Sequence, residues 1–310
     1  MGVYNGGREL HRTLDSVLSQ EAIALELIVV DDGSDDDTAA VLSKFAAGDA
    51  RVRILRQDNR GLTEALAAGC LQAKGRYIAR QDCGDVSLPC RLFRLRDMLD
   101  TNSDAVMATC GTQFFGPGGE FLYTVAPTSE ELQAGLRRLE VTKVRGPSHH
   151  GNTMFRRLAY EQVGGYRAAF PVAQDLDLWM RLSEIGKCIA ETEVLYGATW
   201  AVGAISATKR KEQIRTTKVI LACADARRSG QDEANVLRQW MDKKARSSRS
   251  PASHRPNAHT NEQARFYYFI ASVLRHSKPA RSRHYYIKAI RSRFLFPRAW
   301  LSLLRLVIFR

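Results

Sequence analysis

The sequence predicts an α/β protein: a doubly wound, mostly parallel sheet flanked by helices, followed by a helical C-terminal appendage. Three observations predict it. Short apolar segments alternate with helical ones through residue 82, those segments end in acids (Asp31, Asp32 and Asp82), and beyond Tyr196 the pattern changes to basic helices.

Residues 8–20 (RELHRTLDSVLSQ) set Leu10, Leu14, Val17 and Leu18 at helical spacing, and LELIVVDD (25–32) is a short apolar run, as a buried parallel strand would be. Asp36, Asp37 and Thr38 lead into AAVLSKFAAG, with acids at a helix start and Gly48 at its end, and RVRILRQ (51–57) reads as the next strand. GLTEALAAGCLQAKG (61–75) is a helix closed by Gly75, and RYIARQD (76–82) a further strand. Ligands of such sheets sit beyond the carboxyl ends of the strands, so Asp31, Asp32 and Asp82 are expected on one rim. The opening MGVYNGG reads as a loop running straight into the first helix. Either the sheet lacks one member or the true start lies upstream.

The C-terminal third divides into KRKEQIRTTKVILACADARRSG (209–230) and DEANVLRQWMDKKARSS (232–248) as basic helices, then a polar, proline-containing flexible linker over 246–263. ARFYYFIASVLRHS and PARSRHYYIKAIRSR form a helical hairpin. PRAWLSLLRLVIFR (297–310) is a last amphipathic helix, with Trp300, Leu301, Leu304, Val307 and Ile308 beside Arg298, Arg305 and Arg310. That layout suits an anionic membrane surface, and packing on neighbouring helices is the plainer reading of the same stripe. Two regions are expected, 1–205 and 206–310.

The 310 residues are 45% hydrophobic, enough for a real core. The net charge of +13 is uneven: from Ala201 on there are 24 Lys+Arg against 6 Asp+Glu, and before it 22 against 27. Six cysteines without a C-x-x-C spacing suggest neither a zinc cluster nor a disulfide scaffold, and fit a reducing compartment. No run approaches the roughly 20 apolar residues that span a bilayer, and no signal-peptide layout opens the chain, so a cytoplasmic protein is expected, peripheral on the inner face of the membrane if the last helix docks there. Neither G-x-G-x-x-G nor G-x-x-x-x-G-K-[ST] occurs, which sets aside dinucleotide oxidoreductases and P-loop enzymes. The positive charge is dispersed over helices and linker, so nucleic acid is not expected as a partner.

Five stretches, GVYNGG, LIVVDDGSDDDT, DNRGLTEALAAG, RQDCGDVSLPCRL and HHGNTMFRRLAYEQVGGYRAAFPVAQDLDLWMRL, together resemble the ordered motifs of family 2 glycosyltransferases. The resemblance covers most of residues 1–200. It implies a GT-A fold with a mixed, doubly wound sheet, and transfer of a sugar from a nucleotide donor, UDP-linked by expectation, to an acceptor hydroxyl with inversion. Surface-polysaccharide or lipid-linked glycan assembly follows from the family, and a non-catalytic nucleotide-sugar-binding or partner-binding homologue is the alternative.

Inverting transfer needs a base for the acceptor hydroxyl and positive charge for the departing diphosphate. The resemblance to the family's Q-D pair nominates Gln174 and Asp175, the latter as base; a helix N-cap is the ordinary reading of Asp175, and an i,i+4 surface pair with Arg181 that of Asp177. Asp31 and Asp32 are assigned to the nucleotide's base and ribose, Asn59 to the donor side through its Asn-x-Gly segment, and Asp82 to the nucleotide end of the D-x-D region. His150 is a candidate for substrate contact, as is His149 beside it, and Gly164-Gly165-Tyr166 is a turn. Where most relatives carry the metal-binding acid this chain has Gly84, so Mg²⁺ or Mn²⁺ would be held by Asp82 and Asp85. Otherwise Arg80, Arg91, Lys209, Arg210 and Lys211 would neutralise the diphosphate.

Overall fold

The computed structural model describes residues 1–201, 210–248 and 258–308. Its first sheet is built from β1 (Gly2–Val3), β2 (Leu27–Asp31) and β3 (Val52–Arg56), all parallel. The register pairs Gly2 with Val30 and Val3 with Asp31, then Leu27 through Asp31 with Val52 through Arg56. The opening stretch is therefore not all loop: its second and third residues supply a strand in front of the first helix. β2 is buried along its whole length, as an unbroken apolar run should be in a parallel sheet. Crossovers are made by α1 (Gly7–Leu18) and α2 (Thr38–Gly48), and α3 (Leu62–Leu71) packs on β1 and β2; α1 turns Leu10, Leu14 and Val17 inward at helical spacing.

The second sheet takes β4 (Tyr77–Ala79), β5 (Val86–Ser87), β6 (Ala105–Phe115), β7 (Phe121–Val125), β8 (Thr153–Arg156) and β9 (Lys187–Thr199), in the order β4-β8-β6-β9-β5 with β7 on β6. β8 runs antiparallel to β4 and β6, and β5 antiparallel to β9. The sheet arrangement is mixed, as the family resemblance implies. The mostly parallel arrangement read from alternation alone holds for β1–β3 and fails at the β4/β8, β6/β8 and β5/β9 pairs, because an apolar run does not encode the direction of its neighbour. Helices α4 (Arg91–Thr101), α5 (Ser129–Arg137), α6 (Arg157–Gln162) and α7 (Gln174–Ile185) complete this part.

Four of the remaining described helices are α8 (Arg210–Arg228), α9 (Ala234–Ser248), α10 (Ala258–Leu274) and α11 (Pro279–Ser292), and α12 (Pro297–Ile308) is last. The chain forms two compact units that interleave along the sequence. One contains Met1–Gln113, Thr124–Ala198 and Glu212–Asp242; the other contains Phe114–Tyr123, Thr199–Lys211 and Lys243–Arg310. In the first, Leu178, Met180 and Leu182 of α7 share a core with Phe155, Leu136, Ile220 and Leu221. In the second, Phe266, Ile270 and Leu274 of α10 meet Tyr285 and Tyr286 of α11, the expected hairpin. Of the expected linker, 246–248 and 258–263 are helical, and 249–257 lie outside the described residues.

The helix that carries Asp175 is fixed by a buried ionic network. Asp177 pairs with Arg181, as i,i+4 spacing suggests, at 2.6 Å, and also with Arg167, whose Nη1 reaches Glu233 at 2.9 Å. The pair is not on a helix surface: the Asp177 side chain is 1% exposed and that of Arg181 5%. Arg181 further donates to the carbonyls of Val163 (2.5 Å) and Gly165 (2.7 Å), tying the glycine turn to α7. Removing one charge from such a buried set leaves the others uncompensated. Asp177→Asn is expected to lower the free energy of unfolding by about 3–5 kcal/mol, read from urea denaturation; a loss no larger than a surface substitution gives would show that solvent reaches the network.

Candidate active site

At the end of β2 the two acids do different things. Asp32 accepts three hydrogen bonds, from Gln57 Nε2 (2.7 Å), the Arg60 N–H (2.9 Å) and the Gly61 N–H (2.8 Å). Its carboxylate fastens the segment that exposes Asn59. Asp31 accepts at Oδ1 from the Ser34 N–H (2.9 Å), while its buried Oδ2 makes no hydrogen bond among the described residues and stands 3.8 Å from Arg56 Nε. Of the neighbouring acids, Asp31 thus keeps an open acceptor. The loop after β1 is stitched to the loop after β2: Asn5 and Asp35 bond reciprocally (2.7 and 3.0 Å), and the Gly6 N–H donates to Thr38 Oγ1 (2.9 Å).

After β4 the chain turns at Asp82-Cys83-Gly84-Asp85, where the Asp85 N–H donates to the Asp82 carbonyl at 3.3 Å. Gly84, third in this turn, has φ +91°, the left-handed region that a type II turn requires at that position and glycine adopts without strain. Thr13 of α1 clamps the turn: its hydroxyl accepts from the Gly84 N–H (3.0 Å) and donates to the Asp85 carbonyl (2.9 Å). Both carboxylates are thereby brought to His149. Nδ1 of that ring lies 3.7 Å from Asp82 Oδ2 and 3.5 Å from Asp85 Oδ2. The ligand atoms of Asp82, Asp85 and His149 all fall within 4.8 Å of one another. Two acceptor-only carboxylates and an imidazole nitrogen form a donor set that fits a divalent cation. The sequence reading places Asp82 and Asp85 in this set and misses His149 as a third ligand.

Tyr196 on β9 stands behind the group. Its hydroxyl donates to Asp85 Oδ2 (2.9 Å) and accepts from the Asp82 N–H (3.3 Å), its ring stacks on His149 at 5.5 Å, and the Arg91 guanidinium caps it at 4.8 Å. Gly151 passes so close that a Cβ there would lie 1.9 Å from the hydroxyl, which explains a glycine at that position. Nothing in the sequence singles out Tyr196, a tyrosine in an apolar strand.

The two arginines nearest in sequence do not face a leaving group. Arg80 is 2% exposed and ion-paired with Asp82, and it also donates to the Gln81 carbonyl (3.1 Å) and His150 Nε2 (3.3 Å). Arg91, also buried, donates to Gln81 Oε1, Ser87 Oγ and the carbonyls of Arg80 and Gly151. Both serve as scaffold, contrary to the expectation that they neutralise the diphosphate. Arg210 and Lys211 are exposed at the start of α8, and Lys209 lies outside the described residues. His150 is buried, with Nε2 2.8 Å from the Tyr166 hydroxyl and its ring edge-on to Trp179. Burial first, then the nearby Arg80 charge, hold it well below the usual histidine range, so it is neutral.

Asp175 is the second residue of α7, and Gln174, the first, is buried. The N-cap position belongs to Ala173, with no side-chain cap, so Asp175 is not the helix cap; its Oδ1 accepts instead from the Leu176 N–H at 2.8 Å. Burial and the negative charge of Asp82 raise its pKa above the ordinary carboxylate value, despite the Leu176 bond. For Asp82, burial also acts upward, but the Arg80 guanidinium outweighs it and holds the carboxyl well below that value. Asp82 and Asp175 are thus near enough to feel each other and are pushed in opposite directions.

The family model of glycosyl transferase family 2 matches residues 1–164. EpsE of Bacillus subtilis (strain 168), named as a glycosyltransferase, is 32% identical over 190 residues, 60% of this chain and 66% of that protein. The chain spans 28% and 21% of the lengths of two further curated relatives. The fold is similar to that of S. aureus TarS 1–349 in complex with UDP (TM-score 0.56, 14% identity, covering all of this chain and 90% of the other). It is also similar to the mannosyltransferase PcManGT of Pyrobaculum calidifontis in complex with GDP-Man and Mn²⁺ (TM-score 0.50, 18% identity, 100% and 79% covered).

Partners behind metal ligands commonly change affinity by about 10–100-fold when removed. Tyr196→Phe keeps the stacked ring and deletes the hydroxyl, so Mn²⁺ affinity measured by titration calorimetry should fall by about tenfold while the thermal transition persists. Equal affinity in the two proteins would mean that Tyr196 supports the fold only.

Proposed function

Because the chain belongs to glycosyl transferase family 2, we propose that it moves a sugar from a nucleotide-diphosphate sugar to an acceptor hydroxyl with inversion, using Asp175 as the base. The observation that carries this reading is the opposed pair of carboxylates: Asp175, raised by burial, beside Asp82, held ionised by Arg80. A base that works near neutral pH benefits from a raised pKa, and a cation ligand from a lowered one.

In the proposed reaction the acceptor oxygen attacks the anomeric carbon from the face opposite the leaving group. Its proton passes to Asp175, and the bond from that carbon to the diphosphate oxygen breaks. Asp82, Asp85 and His149 would hold Mg²⁺ or Mn²⁺, which when bound would neutralise the diphosphate. Asp31, whose buried Oδ2 lacks a hydrogen bond among the described residues, would accept one from the nucleotide once donor binding uncovers it, with Asp32 holding the Asn59 segment nearby. Gln174 precedes the base on α7 and would flank it, and His150 would act from behind by orienting Arg80. UDP is the proposed nucleotide, supported by the UDP complex of TarS. A glycan or lipid-linked acceptor, in cell-envelope polysaccharide assembly at the inner face of the membrane, completes the reading, as the family resemblance implies. The non-catalytic alternative rests on Gly84 and on a missing first strand. Against it, ligand atoms of Asp82, Asp85 and His149 gather within 4.8 Å of one another, and β1 is formed.

Asp175→Asn keeps the shape and the bond from Leu176. It should cut nucleoside diphosphate release by about 10²–10⁴-fold across a donor panel, and unchanged release would remove Asp175 from the role of base. The same variant should be at least as stable as the parent at pH 7. A carboxyl whose pKa is raised on folding binds its proton more tightly in the folded chain, so its ionised form costs stability at neutral pH. That cost disappears below the unfolded carboxylate pKa of about 3.9. Activity should accordingly rise with pH through the raised Asp175 pKa, with the acid limb above the ordinary carboxylate range.

A further inference from the structure

We propose that the outer face of α12, with the turn before it, is a docking surface for an anionic lipid bilayer. This inference concerns the second unit alone and stands whether or not the chain transfers sugar.

The last helix carries two apolar faces. Ala299, Leu303 and Leu306 recur at helical spacing and face inward, against Tyr267, Tyr268 and Phe296 among others. That face satisfies the ordinary expectation that an apolar stripe is core. A second set is left over: Phe294 and Leu295 in the preceding turn are 71% and 77% exposed, and Leu301 and Leu304 on the helix 57% and 52%. Trp300 lies at the boundary between the two faces, 39% exposed. Its ring meets Phe294 edge-on at 5.6 Å, and its indole N–H donates to the Phe294 carbonyl at 3.0 Å. The polar end of the indole is therefore already satisfied, so the ring can enter an apolar layer without stranding a donor.

Charge identifies the occupant. From Gln263 to Arg310 the sequence contains 11 Lys+Arg and no Asp or Glu. Arg291, Arg293, Arg298 and Arg305 are exposed around the apolar set, and among the described residues none of the four is in an ion pair. Aromatic and leucine side chains ringed by unpaired cations match the layered chemistry of an anionic membrane, apolar beneath and negative at the surface. Among the described residues no helix is long and apolar enough to cross a membrane. With its 12 residues α12 would lie in the interface rather than span it.

The test floats the purified full chain with phosphatidylcholine vesicles, with and without phosphatidylglycerol. The parent should bind the anionic vesicles at least about tenfold more tightly than the neutral ones, and added salt should weaken that binding. L301S/L304S removes exposed leucines only, so its thermal transition should match the parent while binding falls by about tenfold or more. R298Q/R305Q should weaken binding to anionic vesicles and leave the residual binding to neutral ones unchanged. Absence of flotation, or a leucine variant that binds like the parent, would overturn the proposal. So would a concentration-dependent dimer that L301S/L304S abolishes, since the face would then belong to a second copy.

Discussion

The candidate site depends on one ion pair, Arg80 with Asp82, buried on the arginine side. A guanidinium with so little exposure is costly to keep charged unless it is fully engaged, and Arg80 is: a carboxylate, a backbone carbonyl and a neutral imidazole take its donors. The pair also divides labour among the acids. Asp82, Asp85 and Asp175 are gathered in one region, and like charges there cannot all be ionised at equal cost. Arg80 stabilises the ionised form of Asp82, and the resulting negative charge adds to burial in raising Asp175. One cation just after β4 thereby sets the two carboxylates apart, which the proposed reaction would use as cation ligand and base.

Rigidity in this arrangement comes from outside it. The turn that holds Asp82 and Asp85 is clamped by Thr13 from α1 on one side and by Tyr196 from β9 on the other, elements far apart in the chain. Asp175 sits at the start of a helix whose first turn is locked by Asp177 into a network that runs through Arg167 and Glu233 to Arg227. Such a set of buried charges is a poor way to gain stability, and well-packed apolar residues could match it. Its geometric effect is to fix the first turn of α7, where a small displacement of the proposed base would matter more than a small loss of stability.

The sequence made the strand ends legible because a carboxylate is costly to bury inside a core strand, so an acid closing a short apolar run marks where the strand emerges. Asp31, Asp32 and Asp82 do lie at or just beyond strand ends. It could not say which of two adjacent acids would be consumed by the backbone. Asp32 and Asp31 differ by one position, and only the path of residues 57–61 decides that Asp32 is tied down. The histidine pair posed the same difficulty: in the turn that leads into β8, His150 is buried and His149 half-buried, and without the fold either could have been the inner one. Arg80 and Arg91 looked like phosphate ligands because arginine usually is exposed. Their burial follows from partners at residues 82, 87 and 151 that no local pattern announces.

The glycine at position 84 shows how a lost ligand need not be a lost site. In an extended D-x-D the first and third residues point the same way and share a cation. Here the third residue takes a positive φ, which folds the chain so that the first and fourth residues close on each other through the Asp85-to-Asp82 hydrogen bond. A β-turn brings positions i and i+3 within about 7 Å at Cα, close enough for two short carboxylates to reach one ion. An aspartate at the third position would have to adopt the left-handed backbone that glycine takes without strain. Gly84 therefore exchanges a side-chain oxygen for the backbone freedom that delivers Asp85, and His149 completes the set from the far side of the turn.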